Sequence, residues 1–187
     1  DLVLYRQLIE EGYVIDKAMA NCLLTGLITD TGRFQYPNTT SEVFNIASEL
    51  LKIGADLALI SENIYGSIEF NALKLQSEII NRIELEKDIQ FTFSTVYQDD
   101  YKKYNIDPEE TDFLIDVVRL VKDANIALLL KEQSDGSFKG SLRSRNNFNV
   151  QELASLFDGG GHKAASGFSS TLSEKEIIEK IKHAIKT

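Results

Sequence analysis

The sequence predicts an α/β protein: a helical segment followed by a compact domain of order β-α-β-β-α-β-α. Three observations lead there. Apolar residues recur at helical spacing through residue 86, the pattern switches to a period of two at Asp88, and an Asp-Gly pair at 135–136 separates two apolar-rich runs. These divide the chain into a first segment 1–65, a connecting helix 66–87 and a domain 88–187.

The run DLVLYRQLIEEGY forms a short helix in this reading. Asp16 then caps AMANCLLTGLI, which is apolar on nearly every side and is therefore expected to be buried together with Cys22. ITDTGRFQYPNTT follows as a polar, turn-rich loop. Thr39 and Glu42 have capping-box spacing for a helix striped by Val43, Phe44, Ile46, Ala47, Leu50 and Leu51, and Gly54 ends it. DLALISENIYGSIEFNALKLQSEIINRIELE continues as helix with a break near Gly66, so that the first 86 residues read as helical.

In DIQFTFSTVY the residues Ile89, Phe91, Phe93, Thr95 and Tyr97 alternate with Gln90, Thr92 and Ser94, as in a half-buried strand. A helix follows at 112–122, then NIALLLKEQ and SFKGSLRSR as strands. Asp135 and Gly136 suit a type I′ hairpin turn, in which both central positions need positive φ. Asn149 and Glu152 resemble a capping box, with Phe148 and Leu153 as its hydrophobic staple, for a short helix ended by Gly159. HKAASGFSST reads as the last strand. Ser173 and Glu176 cap a final helix carrying Ile177, Ile178, Ile181, Ala184 and Ile185; its end is basic, and His183 belongs to the solvent side there.

With 187 residues and 43% apolar content the chain can build cores. No apolar run approaches the roughly 20 residues a membrane span needs, and no signal sequence opens the chain, so a cytoplasmic protein with no membrane partner is expected. The single cysteine excludes an internal disulfide and a cysteine-based zinc site. A formal charge of −9 argues against coating long duplexes. Between Ser137 and Phe168, however, Lys139, Arg143, Arg145 and Lys163 face only Glu152 and Asp158, which favours a small anionic ligand. A homodimer is compatible with the helical first segment, and nothing in the periodicity demands one.

Strand geometry places Lys139, Ser141, Arg143 and Arg145 on one face, because side chains alternate. Arginine forks spaced roughly 6.5 to 7 Å apart suit phosphate or carboxylate oxygens. A solvated sheet face with its arginines paired to nearby acids is the plainer alternative. The glycines weigh against it: Gly159 suffices to cap the helix, whereas Gly160 and Gly161 are surplus, and a bare backbone beside His162 lets an anion approach N–H groups. Earlier in the chain, Asp30 ends a buried helix, where the dipole disfavours a carboxylate. Asp-Thr-Gly is also ordinary turn chemistry. With no histidine in the first half and no cluster of acids beside Asp30, the chain cannot complete a hydrolytic metal centre alone.

Taken together, GLITDTGRFQYPNT, SLRSR and DGGGHKAASGF resemble the C-terminal part of a DHH/DHHA1 phosphoesterase of the RecJ-like superfamily, nanoRNase and 3′-phosphoadenosine 5′-phosphate phosphatase type. The first matches the last metal-binding motif of the DHH domain and the other two match the substrate-binding DHHA1 domain, in the family's order and over essentially the whole chain. The resemblance implies that Asp30 is a ligand of a metal pair, usually Mn2+. It further implies that Arg143, Arg145, Gly159, Gly160, Gly161 and His162 bind the terminal nucleotide and its phosphate, with Ser141 beside them and Arg33 adding charge from the DHH side.

The implied substrates are short single-stranded RNA or DNA, or a nucleotide bisphosphate. The metals would activate a water for attack on phosphorus. The DHH triplet and the earlier aspartate and histidine ligands are absent, so the resemblance implies that they precede Asp1 and that this fragment is inactive. Two other readings share these motifs: a cyclic-dinucleotide phosphodiesterase, and a stand-alone nucleic-acid-binding module, for which ITDTGRF has no use.

Overall fold

A computed structural model describes residues 2–146 and 148–186. It consists of two compact units that divide between Ile68 and Glu69. No helix among the described residues is long and apolar enough to cross a membrane.

The first unit is helical. It contains α1 (Leu2–Glu10), α2 (Lys17–Asp30), α3 (Ser41–Ile53) and α4 (Leu57–Ser61), the last continued by a π-helical turn, Glu62–Gly66. Asp16 caps α2 by accepting from the Met19 amide at 2.9 Å, and Gly54 closes α3 in the left-handed region at φ 111°. Ala20, Leu23, Leu24, Leu27 and Ile28 of α2 pack on Val43, Ile46, Ala47 and Leu50 of α3.

The buried positions of α2 form one stripe rather than a full circumference. Cys22 falls outside it and is exposed, contrary to expectation. The α3 stripe is also narrower than expected, leaving Phe44 54% exposed and stacked on Phe34. Its cap is Thr40, which accepts from Val43, not Thr39; Glu42 is drawn away from a capping box by Arg6, whose Nε donates to it at 2.8 Å.

The second unit is a six-stranded mixed sheet flanked by helices. It comprises α5 (Phe70–Asn81), β1 (Glu84–Glu86), β2 (Phe91–Val96), α6 (Gln98–Tyr104), α7 (Leu114–Val118), β3 (Ile126–Glu132), β4 (Phe138–Ser144), α8 (Val150–Ser155), β5 (Gly160–His162), β6 (Ala165–Ser170) and α9 (Glu174–Lys186). The strand order is β1-β2-β3-β4-β6-β5, with β2 and β3 parallel and every other pair antiparallel.

One sheet face carries Phe91, Phe93, Ile126, Leu128, Leu130, Leu142 and Phe168 and is covered by α8 and α9 through Val150, Leu153, Ile177 and Ile181. Each such side chain contributes about 1.5–3 kcal/mol by leaving water. On the other face, Val96, Ala127 and Leu129 lie under Leu75 and Ile79 of α5, Tyr101 of α6, and Leu114, Ile115 and Val118 of α7.

Four local expectations are corrected. Residues 84–86 are strand rather than helix, because Leu85 and its neighbours pair with Thr92 and the rest of β2, a long-range gain that local periodicity does not register. The β2 strand starts at Phe91, after a 3₁₀ turn at Lys87–Ile89, and is buried on both faces rather than one. Its hydroxyls are accommodated by hydrogen bonds: Thr92 donates to the Glu84 carbonyl at 2.8 Å and Ser94 to that of Ile79 at 3.1 Å.

The helix expected at 112–122 shrinks to α7 after a 3₁₀ turn at Pro108–Thr111, while α6 forms where no apolar period announces it. The β3–β4 turn has a positive φ at Gly136 alone, with Gly136 N–H donating to the Gln133 carbonyl and Gln133 N–H to that of Ser137. That is a three-residue loop with a glycine bulge rather than type I′.

Candidate functional site

Register builds an open ledge on the second unit. Directly opposed residues of an antiparallel pair share a face. Lys139, Ser141 and Arg143 of β4 therefore align with Ser169, Gly167 and Ala165 of β6, and these last two with Gly160 and His162 of β5. The result is a floor of small residues with cationic side chains around it. Helices α5–α7 cover this face over β2 and β3, whereas Lys139, Gly160, His162, Gly167 and Ser169 are exposed and Ser141 and Arg143 half-buried.

Arg143 donates one Nη1 hydrogen bond to the Leu142 carbonyl at 3.0 Å, which fixes the base of a fork with further N–H groups to offer. Arg145 lies past the last paired residue. Its amide donates to the Asn125 carbonyl at 2.8 Å, Asn146 follows at φ 53°, and the side chain is exposed, so the sheet register does not hold it in line with Arg143.

Gly160 and Gly161 belong to an edge strand rather than a turn, with Gly159 just before it, and each of the three has a different reason to be there. The left-handed residue after α8 is Asp158, at φ 57°. Gly159 instead lets the chain pass against β6, since a Cβ there would collide with the Gly167 carbonyl and the Phe168 Cβ. Gly161 is held at φ 142°, and a Cβ would approach the Ala165 oxygen to 2.7 Å. Gly160 alone faces open space. Two of the three glycines thus serve packing, and the third keeps the ledge floor clear beside an edge whose outward N–H groups have no further strand.

One residue of this face, together with the carboxylate it pairs with, was not singled out from sequence. Lys131 of β3 sits directly opposite Lys139, only 4% exposed, and donates to Asp112 at 2.5 Å. The Lys131 hydrogen bond, reinforced by the charges of Lys131, Lys139 and Arg143, holds the Asp112 carboxyl below its ordinary range. Lys131, Lys139 and Arg143 therefore act on one point in space. The available signal was a lysine inside the apolar run NIALLLKEQ, where an unpaired charge is not tolerated.

A second cleft of this unit, about 260 Å³ and lined by Arg82, Tyr97 and Glu174 among others, is saturated internally. Arg82 donates to Asp100 at 2.8 Å, and the Tyr97 hydroxyl donates to Glu174 at 3.0 Å. Burial and the Glu174 carboxylate push the Tyr97 phenol up to about 12. The cleft reads as a structural tie. His183 is exposed on α9.

In the first unit Asp30 is the last residue of α2 and exposed, and its carbonyl accepts from the Asn38 amide at 2.9 Å. Gly32, Arg33 and Phe34 follow, all left-handed, at φ 54°, 61° and 62°. Non-glycine residues held there cost of order 1–3 kcal/mol each, so the turn is over-determined by its surroundings. The Arg33 amide donates to the Ile28 carbonyl at 2.8 Å, and its guanidinium stacks 3.8 Å from the Tyr65 ring centroid. Among the described residues no group of three or more His, Cys, Asp and Glu side chains could hold a metal ion. The residues present therefore do not by themselves fit a metal pair, and Asp30 amounts to at most one ligand.

The second unit is thus a mixed-sheet α/β domain that presents an open cationic strand face. The DHHA1 domain profile matches residues 88–187, and the chain belongs to the DHHA1 domain family. A probable bifunctional oligoribonuclease and PAP phosphatase NrnA of Streptococcus mutans is 34% identical over 89% of this chain and 54% of its own length. The Thermus thermophilus bifunctional oligoribonuclease and PAP phosphatase NrnA is 28% identical over 80% of this chain and 44% of its own. The crystal structure of an exopolyphosphatase-related protein from Bacteroides fragilis superposes with a TM-score of 0.92 at 27% identity, over 98% of this chain and 55% of that one. The chain therefore spans about half the length of the curated relatives it matches.

Proposed function

We propose that a longer protein carrying these two units is a phosphoesterase that cleaves short oligoribonucleotides and nucleotide bisphosphates, with the β4–β6–β5 ledge gripping the substrate's terminal phosphate. One observation carries this reading: Arg143, His162 and Gly160 lie on one open face with a small-residue floor, in a domain of the DHHA1 family. Arg143 supplies a planar fork for phosphate oxygens, Ser141 a hydroxyl, and the β5 edge backbone N–H groups. Such a clamp suits a short anionic ligand on a chain of net charge −9. Arg145 guards the approach as an exposed second cation.

In this reading residues 1–65 close a DHH domain and 88–187 bind substrate, while the segment between them carries α5 and β1, which pack into the second unit. Asp30 donates one ligand to a Mn2+ pair whose other donors lie outside this sequence, and the protein works in the cytoplasm. The 187-residue chain should then bind 3′-phosphoadenosine 5′-phosphate without hydrolysing it. Titration calorimetry should show binding that Arg143→Ala weakens about tenfold or more, the loss of a charge-assisted bidentate contact. Robust Mn2+-dependent turnover of a dinucleotide by this chain, or unchanged binding by Arg143→Ala, would refute the division of labour.

A further inference from the structure

Three irregularities of the first unit meet at one cavity of about 510 Å³. The first is the left-handed Gly32–Arg33–Phe34 turn. The second is the π-helical turn Glu62–Gly66, a rare form that recurs at functional positions. The third is the guanidinium of Arg33 laid on the ring of Tyr65. Ile28, Phe34 and Leu57 supply apolar wall, and Arg33, Glu62 and Tyr65 the polar rim. The Glu62 side chain lies against the Cα of Gly66, and among the described residues its carboxylate has no hydrogen-bond donor.

The chemistry of the rim selects among ligands. A bare anion would be drawn to Arg33 and repelled by Glu62. A cation meets the reverse, and an aliphatic chain would desolvate both charges without compensation. A flat, neutral heterocycle with an amino edge satisfies all of them: its face stacks on the guanidinium–phenol pair and its N–H groups reach the carboxylate. The volume lies within the range of small-molecule pockets, roughly 300–1,000 Å³.

We infer that this cavity is a nucleobase pocket, with Arg33 and Tyr65 as the stacking platform and Glu62 reading an exocyclic amine. It deepens the proposed function, since a nucleotide ligand is what that reading supplies, but its geometry is independent of the ledge. The test uses the isotopically labelled 187-residue chain and three probes: adenosine, purine riboside, which has the same ring without the amine, and inorganic phosphate.

Adenosine should shift the amide resonances of Arg33, Phe34 and Tyr65 and bind more tightly than purine riboside. Glu62→Ala, at an exposed position, removes the acceptor and should abolish that preference. Tyr65→Leu should weaken adenosine by roughly fivefold to a hundredfold, the span of base–aromatic stacking. Because Tyr65 also touches the core, Glu62→Ala decides the matter if Tyr65→Leu unfolds. Adenosine that leaves these resonances unmoved, or an amine preference that survives Glu62→Ala, overturns the pocket. Phosphate should instead move Arg143 and Gly160–His162. Failure of that arm alone refutes the ledge and leaves the pocket standing.

Discussion

The two units present their polar chemistry in opposite ways. In the second, Lys139, Ser141 and Arg143 stand on a regular strand whose register with β6 assigns each a face and a neighbour. In the first, Arg33 is aimed by three successive left-handed residues and by a ring 3.8 Å away. A strand positions side chains through a repeating backbone that costs nothing locally, whereas the turn holds strain that its packing must offset. The strand site should therefore tolerate changes to its outward side chains and resist changes at its close backbone contacts, whereas the turn should gain wherever a substitution relieves its strain.

The largest test of that contrast concerns the glycine edge. Gly159→Ala or Gly161→Ala should destabilise the second unit by about 3 kcal/mol, the upper range for forced overpacking, in urea titrations followed by circular dichroism. Gly160→Ala should cost well under about 1 kcal/mol and act on phosphate affinity instead, since its Cβ would meet only open space. Equal losses at all three positions would break the assignment of Gly160 to the ligand.

Next is the buried amine. Asp112→Asn should cost about 1 kcal/mol by weakening the charged hydrogen bond to the buried Lys131 amine, solvent screening of the largely exposed Asp112 carboxylate keeping the loss below that of a buried pair. Because the Asp112 carboxyl titrates below its ordinary 3.8 in the folded protein, this stabilisation is complete above that value and disappears as pH falls through the folded one. The stability gap between wild type and Asp112→Asn should accordingly be constant from pH 5 to 7 and shrink below about pH 4. A gap independent of pH would exclude the ion pair as its source.

Arg143→Ala should leave stability within about 0.5 kcal/mol, as expected of a half-buried arginine whose one internal bond is to its neighbour's carbonyl. Its effect should fall on anion binding. The smallest change is expected at the turn. Arg33→Gly relieves a left-handed non-glycine residue and loses one stack, so first-unit stability should rise or hold within about 0.5–1 kcal/mol. A loss of several kcal/mol would mean that Arg33 serves the fold rather than a ligand.

The same contrast explains what sequence could reveal. Alternation in FKGSLRS placed Lys139 and Arg143 on one face, and the Asp16 cap, the Gly54 stop and the α9 stripe all form as patterned. Elements fixed by distant partners stayed hidden. The β1 strand exists because β2 offers it an edge, β5 because glycines let it lie against β6, and α6 because Tyr101 reaches a core built by other segments. Lys131 looked like one polar residue in an apolar run, since Asp112 lies nineteen positions earlier. The Gly32–Phe34 conformation had only its first glycine as a signal, and two later residues follow it into the left-handed region for reasons of packing.

The alternation of β4 has a consequence for how such a sequence can change over generations. Phe138, Gly140 and Leu142 face the core while Lys139, Ser141 and Arg143 face the ledge, so one rule of parity encodes folding and recognition together. Inserting or deleting a single residue between 138 and 143 would swap the two sets, sending cations inward and Leu142 outward. Substitutions here can tune affinity one side chain at a time, but the length of this segment is closed to variation, and a lineage could alter its ligand far more readily than its spacing.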